Sequence, residues 1–128
     1  MVSICLDTNI VIPFLSDDFQ LVQKIRQAAE VFIPVIVLGE LMYGAKKSVR
    51  PTENIATIEA FMGDNVIVDC TRETAHKYGD IKEQLRKDGH PIPENDIWIA
   101  AIALQDEFTL VSRDTHFSYI KGLSLAMW

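Results

Sequence analysis

A chain of 128 residues is of single-domain size, able to bury roughly two-thirds of its unfolded surface in one core. Its 48% hydrophobic and 23% charged residues, with no repeat or low-complexity stretch, exclude a largely disordered chain. The net charge of −6 excludes broad electrostatic attraction to nucleic acid, so such a partner would need local basic stretches or bound cations.

The opening MVSICLDTNIVIPFL contains a short apolar run, Ser3–Leu6, that reads as a strand. This stretch has no Lys/Arg-rich leader and is broken by Asp7, which predicts neither a secretory signal nor a membrane span and points to a soluble, cytoplasmic protein. Asp17 or Asp18 is placed to cap a helix over Phe19–Ala29. A strand over Val31–Ile33 leads into helices over Val35–Lys47 and Thr52–Met62, followed by a strand over Val66–Val68. Helices over Arg72–Lys87 and Asp96–Glu107 come next, the second capped by Glu94 or Asn95 after two prolines. Thr109–Val111 and Leu123–Ala126 read as the last strands. Cys5 and Cys70 both fall in β-like apolar runs, which predicts small buried free thiols and no disulfide. No Cys/His spacing matches a zinc site, and His76, His90 and His116 read as surface or packing residues.

Short continuous apolar strands alternating with amphipathic helices predict an α/β fold: one domain over residues 1–128, with a mainly parallel sheet buried on both faces. In such sheets ligands bind outside the carboxyl ends of the strands. Asp7 lies just beyond the first strand and Asp114 three residues past Val111, so two strand ends each present an acid if those strands are neighbours. Asp96 falls in the first turn of its helix, where an acid also simply suits the helix dipole. Glu40 is one position, about 100°, from the apolar Leu41 and borders the buried face; a solvated flank is the competing reading. Thr8, Asn9 and Ser112 are weaker, supporting candidates, able to orient a carboxylate or a metal-bound water. Four converging carboxylates repel one another unless protonated or shared by a cation. All-oxygen donors without His or Cys suit Mg²⁺, with Mn²⁺ as the alternative, and that chemistry serves phosphodiester hydrolysis.

Asp7 in LDTN, Glu40 on the helix after the second strand, Asp96 in ENDIWIAAIA and Asp114 in LVSRDTHF resemble the sequential acids of the PIN-domain family, in particular its VapC-type toxins. The ending F-x-x-I-x-G-L, here Phe117, Ile120, Gly122 and Leu123, is similar to that family as well. The resemblance spans nearly the whole chain. It implies a three-layer α/β/α sandwich and a Mg²⁺- or Mn²⁺-dependent single-strand endoribonuclease, the toxin of a toxin–antitoxin pair. It further implies a homodimer and a VapB-type antitoxin that blocks the site, with Asp7, Glu40, Asp96 and Asp114 as catalytic metal ligands and transfer RNA as a candidate substrate. Lys46, Lys47, Arg86 and Arg113 stay open as RNA contacts. Two rival readings are a haloacid-dehalogenase-type phosphatase, which needs an acid where Asn9 stands, and a phospho-receiver domain, which needs paired acids after the first strand. A non-enzymatic binding module on the same fold is the third.

Overall fold

The computed structural model describes residues 3–128, so the first two residues of the expected domain lie outside it. Its elements in chain order are β1 (Ser3–Leu6), α1 (Thr8–Leu15), α2 (Phe19–Arg26), β2 (Glu30–Pro34), α3 (Val35–Lys46), α4 (Pro51–Gly63) and β3 (Val66–Val68). They continue with α5 (Arg72–Asp88), α6 (Glu94–Gln105), β4 (Thr109–Ser112), a 3-10 turn over Thr115–Tyr119 and β5 (Leu125–Met127).

All strand pairs are parallel, in the order β3-β2-β1-β4-β5. The chain builds outward from β1 to β3 on one side and then returns to β4 on the other. Right-handed crossovers therefore send α1–α4 to one face of the sheet and α5–α6 to the opposite face. The packing groups accordingly, with α1 on α2 and α3, α3 on α4, and α5 on α6. The result is an α/β/α sandwich in which strand order reverses between β1 and β4, the place where a crevice opens at the carboxyl edge.

The core runs through the middle strands, with Cys5, Leu6, Ile33, Leu110 and Val111 fully buried. Helix α6 is unusual in being apolar almost all round: Ile97 and the whole run Ile99–Ala103 are buried. Its three alanines let this helix lie close against its neighbours while the isoleucines fill the gaps between. Asp18 caps α2 by accepting from the Leu21 N–H at 3.3 Å. Gly122, in the F-x-x-I-x-G-L ending, has φ +81, a left-handed conformation that favours glycine.

Several expectations need correction. TNIVIPFL, read as part of the opening apolar stretch, is helix α1, because Asp7 caps it and its carbonyl takes the Ile10 and Val11 N–H groups. Strand β3 is an edge, not a fully buried strand: Val66 and Ile67 are exposed. Cys70 is exposed as well, having fallen just beyond that strand, while Cys5 is a buried free thiol as expected. Neither Glu94 nor Asn95 caps α6; Pro93 occupies the cap position and Glu94 instead pairs with Lys82 and the Tyr78 hydroxyl. Among the described residues no helix is long and apolar enough to cross a membrane.

Candidate functional site

Asp7 follows β1 directly, and its backbone N–H donates to Val111 O at 3.0 Å, which stitches it to the end of β4. The same residue is the N-cap of α1, with its Oδ1 accepting from the Thr8 N–H at 2.8 Å. Only 3% of Asp7 is exposed, and such burial requires that both carboxylate oxygens find donors. The second donor is Ser112, the last residue of β4, whose hydroxyl donates a hydrogen bond to Oδ2 at 2.8 Å. The Ser112 oxygen in turn accepts from Asn9 Nδ2 at 3.3 Å and from the Asp114 N–H at 3.0 Å. Asn9 Oδ1 accepts from the Arg113 N–H at 3.1 Å, so its amide clasps the turn after β4. Thr8, Asn9 and Ser112 thus stand where they hold the first acid and shape the turn that presents Asp114.

Glu40 comes from the middle of α3, and the Thr8 hydroxyl donates to its Oε1 at 2.8 Å. One threonine therefore links the Asp7 and Glu40 carboxylates through its N–H and its O–H. Asp96 enters from the first turn of α6. All four acids of the sequence analysis line a single open cleft of about 550 Å³, together with Thr8, Asn9, Ile12, Pro93 and Asn95. The cleft sits at the reversal point of the sheet, and the four carboxylates reach it from four separate elements.

The sequence reading missed His116. It stands on the 3-10 turn after Asp114, with Nε2 2.8 Å from Asp96 Oδ2, but no hydrogen bond is directed from that buried nitrogen. Ligand atoms of Asp96, Asp114 and His116 lie within 4.8 Å of one another, a span that one small cation can bridge. A signal existed in the sequence: His116 follows Asp114 by two residues in DTHF. A single histidine without a zinc spacing gave no reason to use it.

The charges in the cleft oppose one another. Burial pushes the Asp7 carboxyl up, the Ser112 hydroxyl and the Thr8 N–H pull it back, and Asp114 and Glu40 push it up again. Burial and the Asp7 charge push the Asp96 carboxyl up to about 6, against the pull of His116. A carboxylate cluster held in this state takes up protons or a cation. The donors present, carboxylate oxygens with a single imidazole at the rim, fit Mg²⁺ or Mn²⁺ and not the Cys-rich sites of structural zinc.

The PIN domain family model matches residues 4–123. A ribonuclease VapC2 of Haemophilus influenzae is 37% identical, covering 100% of this chain and 99% of its own. A protein of Shigella flexneri named tRNA(fMet)-specific endonuclease VapC is 31% identical over 100% of this chain and 99% of its own. Among solved structures, DNA-bound VapBC of Salmonella typhimurium superposes with a TM-score of 0.93 at 28% identity, covering 100% of this chain and 99% of that one.

Proposed function

Because this chain belongs to the PIN-domain family, we propose that it is a divalent-metal-dependent endoribonuclease acting as the toxin of a toxin–antitoxin pair. The observation that supports this most is the convergence of Asp7, Glu40, Asp96 and Asp114 on one cleft at the switch point of the sheet. Mg²⁺ or Mn²⁺, when bound, supplies charge neutralisation and Lewis acidity toward a phosphodiester. The chain's own residues do the rest. Asp7, Glu40, Asp96 and Asp114 line the cleft that would hold the cation, and His116 comes within reach of Asp96 and Asp114. Thr8 keeps Asp7 and Glu40 in fixed relation, and Ser112 fixes the rotamer of Asp7. Cation binding also lets a polyanion approach a protein of net charge −6.

Asn9 weighs against the phosphatase reading. Its amide is committed to Ser112 and to the Arg113 N–H, and an amide N–H is too weakly acidic to protonate a leaving group. A cytoplasmic location, a homodimer, an antitoxin of VapB type and transfer RNA as substrate belong to the same reading. The name of the Shigella relative supports transfer RNA, and the VapBC structure from Salmonella supports the antitoxin. Light scattering with and without a co-expressed antitoxin tests the assembly.

The decisive experiment compares wild type with Asp7→Asn and Asp96→Asn proteins whose fold is verified by circular dichroism. Cleavage of single-stranded RNA in Mg²⁺ or Mn²⁺ is expected to fall at least about 100-fold in both variants and to vanish with chelator. Undiminished cleavage in the variants, or indifference to chelator, overturns the reading. A matched DNA strand run alongside distinguishes ribonuclease from general nuclease.

A further inference from the structure

A second groove opens off the acid cleft. It is lined by Val35, Ile36, Gly39, Tyr43, Gly44 and Lys47, and it shares Thr8, Glu40 and Asn95 with the cleft, so the two are continuous. Ile36, Glu40, Tyr43 and Lys47 succeed one another at helical spacing, which makes a single stripe along α3 from the acids to the helix end. Lys47 lies about 10 Å further along the axis than Glu40.

Two features of this stripe are not explained by folding. Tyr43 is 67% exposed, on the side of α3 about 160° from the buried Leu41 and Ala45, so its ring adds nothing to the core. Lys47 Nζ sits 4.7 Å from the Tyr43 ring centroid, over one face, which leaves the other face free. Neither Lys46 nor Lys47 has an acidic partner among the described residues, whereas Arg86 is held by Glu83, and Arg113 by Asp18 and the Trp128 carbonyl. A lysine at a helix C-terminus suits the dipole, but the dipole gives no reason for an exposed ring beside it. A Cβ at Gly39 or at Gly44 would meet nothing within 4 Å, so the groove wall is open along the length of the stripe.

We propose that this groove is the subsite for an unpaired nucleotide next to the scissile phosphate: its base stacks on the free face of Tyr43 and a neighbouring phosphate meets Lys47. The proposal rests on the ribonuclease reading and assigns to it the side chains that hold the nucleotide beside the cut. Base-on-aromatic stacking tolerates any sequence but requires an unstacked base, so the groove favours single-stranded over double-helical RNA. It also resolves the charge problem locally: the acids take the cation, and Lys47 at the far end of the groove takes the phosphate.

The test uses the full chain and three variants, Tyr43→Ala, Tyr43→Phe and Lys47→Ala. Binding of a fluorescein-labelled single-stranded RNA oligonucleotide is read by anisotropy in Ca²⁺ across a salt series, Mn²⁺ affinity by calorimetry, and wild-type cleavage in Mn²⁺. Tyr43→Ala is expected to weaken RNA binding roughly 5- to 100-fold at unchanged Mn²⁺ affinity, with Tyr43→Phe close to wild type. Lys47→Ala is expected to weaken binding and to lower the salt slope by about 1. Wild-type cleavage together with unaltered RNA affinity in Tyr43→Ala and Lys47→Ala overturns the subsite and leaves the nuclease reading intact. A wild type that neither binds nor cleaves RNA overturns both. Variants that keep RNA affinity and lose only the antitoxin assign the groove to a protein partner and overturn the proposal.

Discussion

Asp96 carries opposing demands of fold and function. Its folded pKa, about 6, is above the ordinary 3.8, so protonation stabilises the metal-free fold; that contribution is present at low pH and lost as pH rises through about 6. Metal-free protein is therefore expected to melt at a lower temperature at pH 7.5 than at pH 5.5, as followed by scanning fluorimetry in chelator. Asp96→Asn should flatten that slope and raise the melting temperature at pH 7.5 while abolishing cleavage. The surface carboxylates Glu83, Asp88 and Glu94 have lowered pKa values and act in the opposite sense, but only at more acid pH, where they begin to protonate. Mn²⁺ affinity should fall as pH drops below about 6, because proton and cation compete for the same oxygens. Thr8 acts through other residues. Thr8→Val keeps the N–H bond to Asp7 and removes the O–H bond to Glu40, and the expected result is a loss of roughly 10- to 100-fold in Mn²⁺ affinity or cleavage, checked by calorimetry and RNA assay.

At the scale of elements, legibility followed local pattern. Helices α2 to α6 and strands β1 to β4 are read from periodicity, and some also carry a polar boundary, such as Asp18 before α2 or Thr71 before α5. Helix α1 escaped because Ile10, Val11 and Ile12 are β-branched and Pro13 follows, a composition that suits a strand or a turn better than a helix. Tertiary packing overrides that propensity: Ile10 and Val11 are fully buried, and Asp7, fixed to β4, caps the first turn. Burial of β3 was misjudged since VIV reads the same at an edge as in the middle of a sheet. Helix α6 gives a sharp packing test. Ala101 is wholly buried, so Ala101→Leu is expected to destabilise the fold by about 1–3 kcal/mol, measured by urea denaturation, through crowding in a helix that has no free side to turn.

For the whole molecule, the site is the place where a metal stabilises the fold that holds it. Asp7, Glu40, Asp96 and Asp114 come from four elements, so a cation bound among them ties both halves of the sheet and helices from both of its faces together. Mn²⁺ at about 100 times its dissociation constant is expected to add about 2.7 kcal/mol to unfolding stability. Scanning fluorimetry should show the rise, its reversal by chelator and its absence in Asp96→Asn. The sequence by itself determined which acids were available and which of them end a strand or begin a helix, because strand period and turn chemistry are local and leave their mark on neighbouring residues. It also determined the parallel α/β class, since alternation of apolar strands with amphipathic helices admits few other packings. The tertiary structure alone decided that Thr8 bridges Asp7 to Glu40, that Ser112 satisfies a buried carboxylate 105 residues away, and that His116 faces Asp96. Those relations depend on β1 lying beside β4 and on α1 meeting α3, and contacts between residues so far apart in the chain are set by how the elements pack, not by the residues next to them.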